Sequence, residues 1–499
     1  MLRAPSWWAR STGAGRSGSS ALDATSRRAS SVAVTDGGSF RDPDGRVFAI
    51  DGEIHRGLTA EGAADWAVLA ESGLLERWVA AGDVVETTVA DKSALEALRS
   101  VAPAGAWTMA LRHERVPFVS YPYEWTFSML KDAALLQLRL TREALASNVA
   151  LKDATPYNVQ WKGTRPVFID IGSFARARDG EPWLGYRQFC MLFLYPLLLE
   201  AYKGIPFQPW LRGSLEGIHP ADARAALRGR DTWRPGVLKH VALHANLERR
   251  HASGERDVRR ELREAGFDKS LVEANLKGLE KLVSKLRPPG GATEWSDYVA
   301  TCSYSDEDTR AKEEFVRRAV RRVPRDLVWD LGCNDGRYSR IAADGSRYTL
   351  ALDADRGVVE RLYRALVGEG TQMILPLLGD LADPSPGIGW RGLERLPLAG
   401  RGRPDVTLAL ALVHHLTISR NIPLQDLIAW FADLGGELVV EFPDRTDPMV
   451  KRLLARKHDG AHPDYTRDDF ERALGERFEV SSTVELPSRT RALYHAVPR

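Results

Sequence analysis

Val328-Trp-Asp-Leu-Gly-Cys-Asn-Asp-Gly-Arg-Tyr-Ser339 is the stretch on which the fold turns. Two apolar residues lead into Asp330, and Gly332 and Gly336 follow within six positions. The pattern predicts a buried strand that ends in a glycine turn at the start of a helix. Bare backbone at such a turn admits a ligand closely, and a helix N-terminus offers unpaired N–H groups. A second strand, Tyr348-Thr-Leu-Ala-Leu-Asp353, ends in an acid seventeen residues after Gly336. An acid at a second strand tip is what a ribose diol needs from a nucleotide-binding sheet.

Outward from this stretch, strand and helix patterns alternate from Leu327 to the C-terminus, which predicts a doubly wound α/β domain over residues 326–499. Leu378-Gly-Asp-Leu381 places Asp380 after a third strand. Asp405-Val-Thr-Leu-Ala-Leu-Ala-Leu412 is a fourth strand followed by His414-His415-Leu416, and Gly436-Glu-Leu-Val-Val-Glu441 is a fifth. Towards the N-terminus, Trp295, Tyr298 and Tyr304 form an aromatic lead-in expected to pack the junction. Pro288-Pro-Gly-Gly291 is the clearest linker. Before it, helical spacing marks Ala60 to Ala81, Ser128 to Ala146, Arg187 to Tyr202 and much of Pro220 to Leu286, while Val167-Phe-Ile-Asp170 reads as a short buried strand. The expected boundaries are a disordered tail over 1–38, a domain over 39–287, a linker and lead-in over 288–325, and the α/β domain over 326–499.

A chain of 499 residues exceeds one core, so two or three domains are expected. Hydrophobic residues at 44% and charged residues at 27% are ordinary for a globular protein. The net charge of +2 gives no case for a general nucleic-acid or membrane binder. Cys190, Cys302 and Cys333 are too scattered for a zinc site or a disulfide framework, which favours a reducing, cytoplasmic setting. The apolar run Phe189 to Leu199 is broken by Pro196 and too short to span a bilayer. The first 35 residues are rich in Ser, Arg, Ala and Gly and lack the apolar core of a secretory signal. They overlap in composition with a transit peptide, and a disordered tail is the simpler expectation.

The C-terminal motifs resemble class I S-adenosylmethionine-dependent methyltransferases. The family's first motif, acid-x-Gly-x-x-x-Gly, matches Asp330-Leu-Gly332-Cys-Asn-Asp-Gly336, the ribose acid matches Asp353, and the adenine-side acid matches Asp380. The resemblance implies a Rossmann-like fold that binds S-adenosyl-L-methionine at Asp330, Gly332, Asn334, Gly336, Asp353 and Asp380, with no metal. The residues themselves agree. A single close-approach glycine does not suit a pyrophosphate, and Asp330 would repel phosphates while attracting an amino group. Methyl transfer from a sulfonium is a direct displacement, so the protein mainly aligns two reactants. An oxygen acceptor also needs a proton acceptor, a role open to His414 or His415 at the carboxyl edge of the sheet. A packing or capping role is the alternative. Glu441, Phe442 and Asp444 either line the acceptor pocket or are ordinary loop residues.

A separate resemblance lies upstream. Leu151-Lys-Asp153-Ala-Thr-Pro-Tyr-Asn158 and Val167-Phe-Ile-Asp170-Ile-Gly172 resemble the catalytic and metal loops of the protein-kinase-like fold, in the style of aminoglycoside and small-sugar kinases. The resemblance implies that Asp153 orients an acceptor hydroxyl while Asn158 and Asp170 hold magnesium against ATP. The pattern departs from the family in lacking a Gly-x-Gly-x-x-Gly loop and a Val-Ala-Ile-Lys strand, leaving Lys92 and Lys131 as lysines by default. An active phosphotransferase and a non-catalytic scaffold both stay open, and Tyr121-Pro-Tyr-Glu-Trp125 is expected to pack a lobe junction. The expected whole is an α/β enzyme: an N-terminal kinase-like α+β domain before a Rossmann-like doubly wound sheet. Its partner is a small-molecule or glycan acceptor, with no nucleic acid and no membrane span.

Overall fold

Seven strands form the sheet that the Val328 stretch anticipates, in a computed structural model that describes residues 33–101, 106–178, 181–246, 269–289 and 304–499. They are β10 (Arg325–Leu331), β11 (Ser346–Asp353), β12 (Ile374–Leu378), β13 (Val406–Ala409), β14 (Glu437–Pro443), β15 (Phe478–Glu485) and β16 (Arg491–Pro498), in the order β12-β11-β10-β13-β14-β16-β15. The first five run parallel, and β16 and β15 add as an antiparallel hairpin. Helices cover both faces of a parallel sheet, so its strands read as apolar runs rather than alternations; all four residues of β13 are buried. From β10 the chain goes first to β11 and later to β13 on the other side. The crevice at that reversal is where open α/β sheets hold ligands.

This half begins earlier than residue 326. Asp306–Arg321 is a helix, started by a capping box in which Ser305 and Asp308 satisfy each other's backbone N–H. Its buried Phe315, Val316, Ala319 and Val320 pack with Val328, Ile341 and Leu408. The expected linker over 288–325 is therefore partly structural, because the helix carries an apolar face that only the sheet can cover.

The N-terminal half opens with an antiparallel sheet, β1-β2-β3-β5-β4, of β1 (Ala33–Thr35), β2 (Gly45–Ile50), β3 (Glu53–Leu58), β4 (Thr87–Val89) and β5 (Met109–His113). Ala33 is buried and opposite Ile50, so the end of the tail expected over 1–38 contributes a strand. The helix expected from Ala60 to Ala81 is two helices, Ala60–Glu71 and Leu74–Ala81, separated by Gly73 in the left-handed region. After the long Phe127–Ala146 helix come β6 (Val149–Leu151), β7 (Val159–Lys162), β8 (Arg165–Phe168) and β9 (Phe174–Arg176), paired as β6-β9 and β7-β8. The Phe189–Leu199 run is a buried helix, with a π-helical turn over Cys190–Leu194 just before Pro196. Residues 1–32, Trp295, Tyr298 and Cys302 lie outside the described residues.

One apolar core runs through both halves. Trp161 meets Tyr363 edge-on at 5.8 Å, and Phe118 meets Trp329 at 5.9 Å. Polar ties cross the same junction. The Gly163 N–H donates to the Tyr348 hydroxyl at 2.9 Å, and the Tyr363 hydroxyl donates to Asp132 at 2.7 Å. The Tyr121–Trp125 segment, expected at a lobe junction, lies against the C-terminal half, where Leu396 N–H donates to the Tyr121 hydroxyl. Among the described residues, no helix is long and apolar enough to cross a membrane.

Candidate functional site

The turn after β10 is built by backbone. The N–H groups of Gly332 and Cys333 both donate to the Leu352 carbonyl, at 2.8 and 2.9 Å, which folds the turn over the tip of β11. Asn334, left-handed at φ 47°, donates its N–H to Asp353 Oδ2 at 2.9 Å, and Asp355 N–H reaches Oδ1 at 2.9 Å. A carboxylate has about four lone-pair sites, so Asp353 is fixed in orientation and keeps acceptor capacity for a diol. Burial pushes its pKa up. In front of it lies a cavity of about 390 Å³ lined by Gly332, Asn334, Asp353, Asp380, Leu412 and His415, among others. Asp380 accepts from Ala382 N–H and pairs with Arg420, which closes one wall beside Ser419. Neither Arg420 nor Ser419 carries a motif signal, since both sit in the irregular turn that ends at Arg420.

Two expected cofactor residues, Asp330 and Gly336, fall outside the lining. Asp330 sits beneath the turn, 2% exposed, accepting from Ser339 Oγ at 2.6 Å, and burial pushes its pKa up to about 7. Gly336 serves packing rather than ligand approach. It is left-handed at φ 76°, and an added Cβ would stand 2.6 Å from Leu362 Cδ1. At Gly332 the same Cβ would meet only Leu412 Cδ1, at 3.4 Å, on the cavity side. Gly336→Ala is therefore expected to cost about 2–3 kcal/mol from handedness and overpacking. Gly332→Ala costs less stability and loses ligand affinity instead. Urea melts beside a ligand titration separate the two.

His414 is fully buried, both ring nitrogens lack a hydrogen-bond partner among the described residues, and its ring lies tilted against that of His415 at 4.1 Å. Burial, then His415 and the cations Arg491 and Lys312, hold its pKa well below the usual value. Burial and Arg491 bring His415 to about 4. Both rings are neutral at pH 7 and weak as bases, and of the two only His415 faces the cavity. Glu441 is also absent from the lining. It is buried below the floor among Lys312, Tyr304 and Arg491. Phe442 stacks with Tyr465 and Phe470 in the core, and Asp444 holds its own turn through Thr446.

The upstream motif residues do converge. Asn158 Nδ2 donates to Asp170 Oδ2 at 3.1 Å and to Ser173 Oγ at 3.2 Å, and Ser173 lies within 3.4 Å of Asp153. Burial, followed by Asp170, raises the Asp153 pKa. The cation there is Arg56 on β3, whose Nη2 meets Asp170 Oδ1 at 2.7 Å. Lys131 instead donates to the carbonyls of Ser284 and Leu286, and Lys92 starts the Lys92–Ser100 helix. Among the described residues, no three His, Cys, Asp or Glu side chains are grouped to hold a metal ion.

No family model matches the chain. It is 33% identical over 460 residues to the nodulation protein NoeA of Rhizobium meliloti strain 1021, covering 92% of this chain and 94% of that protein. Among solved structures it is similar to the N-methyltransferase NodS from Bradyrhizobium japonicum WM9, with TM-score 0.29 and 12% identity over 39% of this chain and 99% of that one. It is also similar to magnesium protoporphyrin IX methyltransferase (ChlM) from Synechocystis PCC 6803, with TM-score 0.28 and 17% identity over 42% of this chain and 90% of that one.

Proposed function

The chain belongs to the family of the nodulation protein NoeA, and from that premise we propose that it is an S-adenosylmethionine-dependent methyltransferase acting on a small-molecule or glycan acceptor. The observation that carries the reading is the placement of Asp353 and Asp380 at successive strand tips around one cavity whose rear wall is the Gly332 turn. The residues suit that cofactor. Asp353 is pre-oriented by two backbone N–H groups for a ribose diol, Asp380 stands just past the adjacent strand for the adenine, and Gly332 leaves room where a side chain would fill the cradle. When bound, the sulfonium supplies an electrophilic methyl group. The protein's part is alignment and exclusion of water by Leu412, Leu416 and the Arg420 wall. With an oxygen acceptor, His415 is the available proton acceptor; an amine reacts from its neutral fraction, which exchange with solvent replenishes, so none is required.

Titration calorimetry with S-adenosylhomocysteine is expected to give micromolar binding that Asp353→Ala abolishes. No heat with the wild type would end this reading. Labelled S-adenosylmethionine offered with a metabolite and oligosaccharide pool then identifies the acceptor.

For the upstream cluster we favour a non-catalytic scaffold over phosphotransfer. Its support is Arg56, which already neutralises the Asp170 carboxylate that magnesium would need. Magnesium-dependent ATP turnover that disappears in Asp170→Ala would reverse this choice.

A further inference from the structure

Ala411 lies in the cavity wall in a backbone conformation that alanine rarely adopts, φ 51°. Its N–H is turned away from the crevice to Glu441 Oε2, at 2.9 Å. Glu441 has no exposed surface. Four donors from separate parts of the chain fix it: Ala411 N–H and Lys312 Nζ, at 2.5 Å, on Oε2, with the Tyr304 hydroxyl, at 2.6 Å, and Arg491 Nη1, at 3.0 Å, on Oε1. Arg491 is in turn clamped by Asp447 at 2.7 and 3.1 Å. Two cations and two carboxylates balance, so the cluster is neutral as a whole and rigid. It grips the cavity wall at the 410–411 peptide.

A trans peptide holds its C=O antiparallel to its N–H. With Ala411 N–H drawn down to Glu441, the Leu410 carbonyl is turned the opposite way. Leu410 itself lines the cavity. We propose that Glu441 is a positioning residue that, by anchoring Ala411, presents the Leu410 carbonyl to the α-ammonium of the bound cofactor. This rests on the cofactor reading above and adds the group that recognises the amino-acid arm. Glu441 touches neither cofactor nor acceptor; it acts through the peptide.

Two double variants keep the buried charge balanced and differ only in the acceptor offered to Ala411. Lys312→Met with Glu441→Gln retains an oxygen, and Lys312→Met with Glu441→Leu does not. Each is titrated with S-adenosylhomocysteine and with 5′-methylthioadenosine, which shares the adenosine and the sulfur but lacks the amino-acid arm. The glutamine variant is expected within about threefold of wild type for both ligands. The leucine variant is expected to lose at least about tenfold for S-adenosylhomocysteine while 5′-methylthioadenosine stays within about twofold. Equal S-adenosylhomocysteine affinity in the two variants overturns the positioning role alone. A wild type that binds neither ligand removes the cofactor reading and this inference with it. If the leucine variant fails to fold, Tyr304→Phe, which removes one donor from Glu441, decides the matter. It is expected to weaken S-adenosylhomocysteine about threefold relative to 5′-methylthioadenosine, and an unchanged ratio overturns the proposal.

Discussion

Arg401→Ala is expected to lower the unfolding free energy by about 3–5 kcal/mol, read from urea denaturation followed by tryptophan fluorescence. Arg401 and Glu124 are 3% and 2% exposed, and they join the two halves of the chain through a doubly bonded ion pair. The Arg401 guanidinium also donates to the Val119 carbonyl at 2.9 Å and lies over the Tyr121 ring at 4.7 Å. Alanine would leave the Glu124 carboxylate buried without its cation, and that stranded charge is the main source of the loss. Replacing both partners, Arg401→Met with Glu124→Leu, is therefore expected to recover most of it, because the desolvation cost disappears with the charges. Arg401→Lys would recover little, since an ammonium cannot reproduce the two-pronged contact. The loss should also reach the cavity. Ser385, which donates to Glu124 at 2.6 Å, follows Asp380 by five residues, so the segment carrying Asp380 is tethered through this pair. Weaker S-adenosylhomocysteine binding in Arg401→Ala is the expected companion result, and the double variant, which removes the Glu124 oxygen that Ser385 donates to, is expected to recover stability without recovering affinity.

The cavity was legible in the sequence to the extent that it is local. Gly332, Asn334 and Asp353 lie within one strand-turn-helix-strand unit, where hydrophobic runs and punctuating glycines fix both register and tip. Gly336 had the right conformation for the wrong reason. Its partner, Leu362, sits on a helix whose packing no spacing rule reveals. Glu441 was recognised as a strand-tip acid, but the face it presents depends on Lys312 and Arg491, one more than a hundred residues before it and the other fifty after it. Arg56 carries no motif signal, since the kinase pattern calls for a lysine, and only the pairing of β3 with β5 places it where a cation can meet Asp170. The strand Ala33–Thr35 is hidden for a simpler reason. A three-residue edge strand has too few positions to show an alternation.

Affinity for S-adenosylhomocysteine is expected to fall about tenfold for each pH unit below 7 and to be nearly flat above it, with Asp330 as the origin. Burial brings this carboxyl to about 7 from an ordinary 3.8, against the opposing pull of Ser339 and Lys312. Its pKa is higher in the folded protein than in the unfolded chain. Its contribution to the stability of the ligand-free protein is therefore complete below about pH 3.8 and lost as pH rises through 7. The carboxylate form is thus strained at neutral pH, and a ligand bearing an ammonium group relieves it. The field carries far enough, since Asp353, which lines the cavity, already raises the Asp330 pKa. Binding at pH 6 must expel the Asp330 proton. Calorimetry in buffers of different ionisation enthalpy should then show release of about one proton at pH 6 and almost none at pH 8. Asp330→Asn is expected to flatten the profile and to lower affinity at pH 8 at least about tenfold, as a loss of favourable charge in a poorly screened site requires. Ser339→Ala supplies the opposite displacement. Without its hydroxyl the carboxylate loses a donor, the Asp330 pKa rises further, and the onset of weakening moves above pH 7. A profile that stays in place in Ser339→Ala, or keeps its slope in Asp330→Asn, would assign the titration to Asp353 instead.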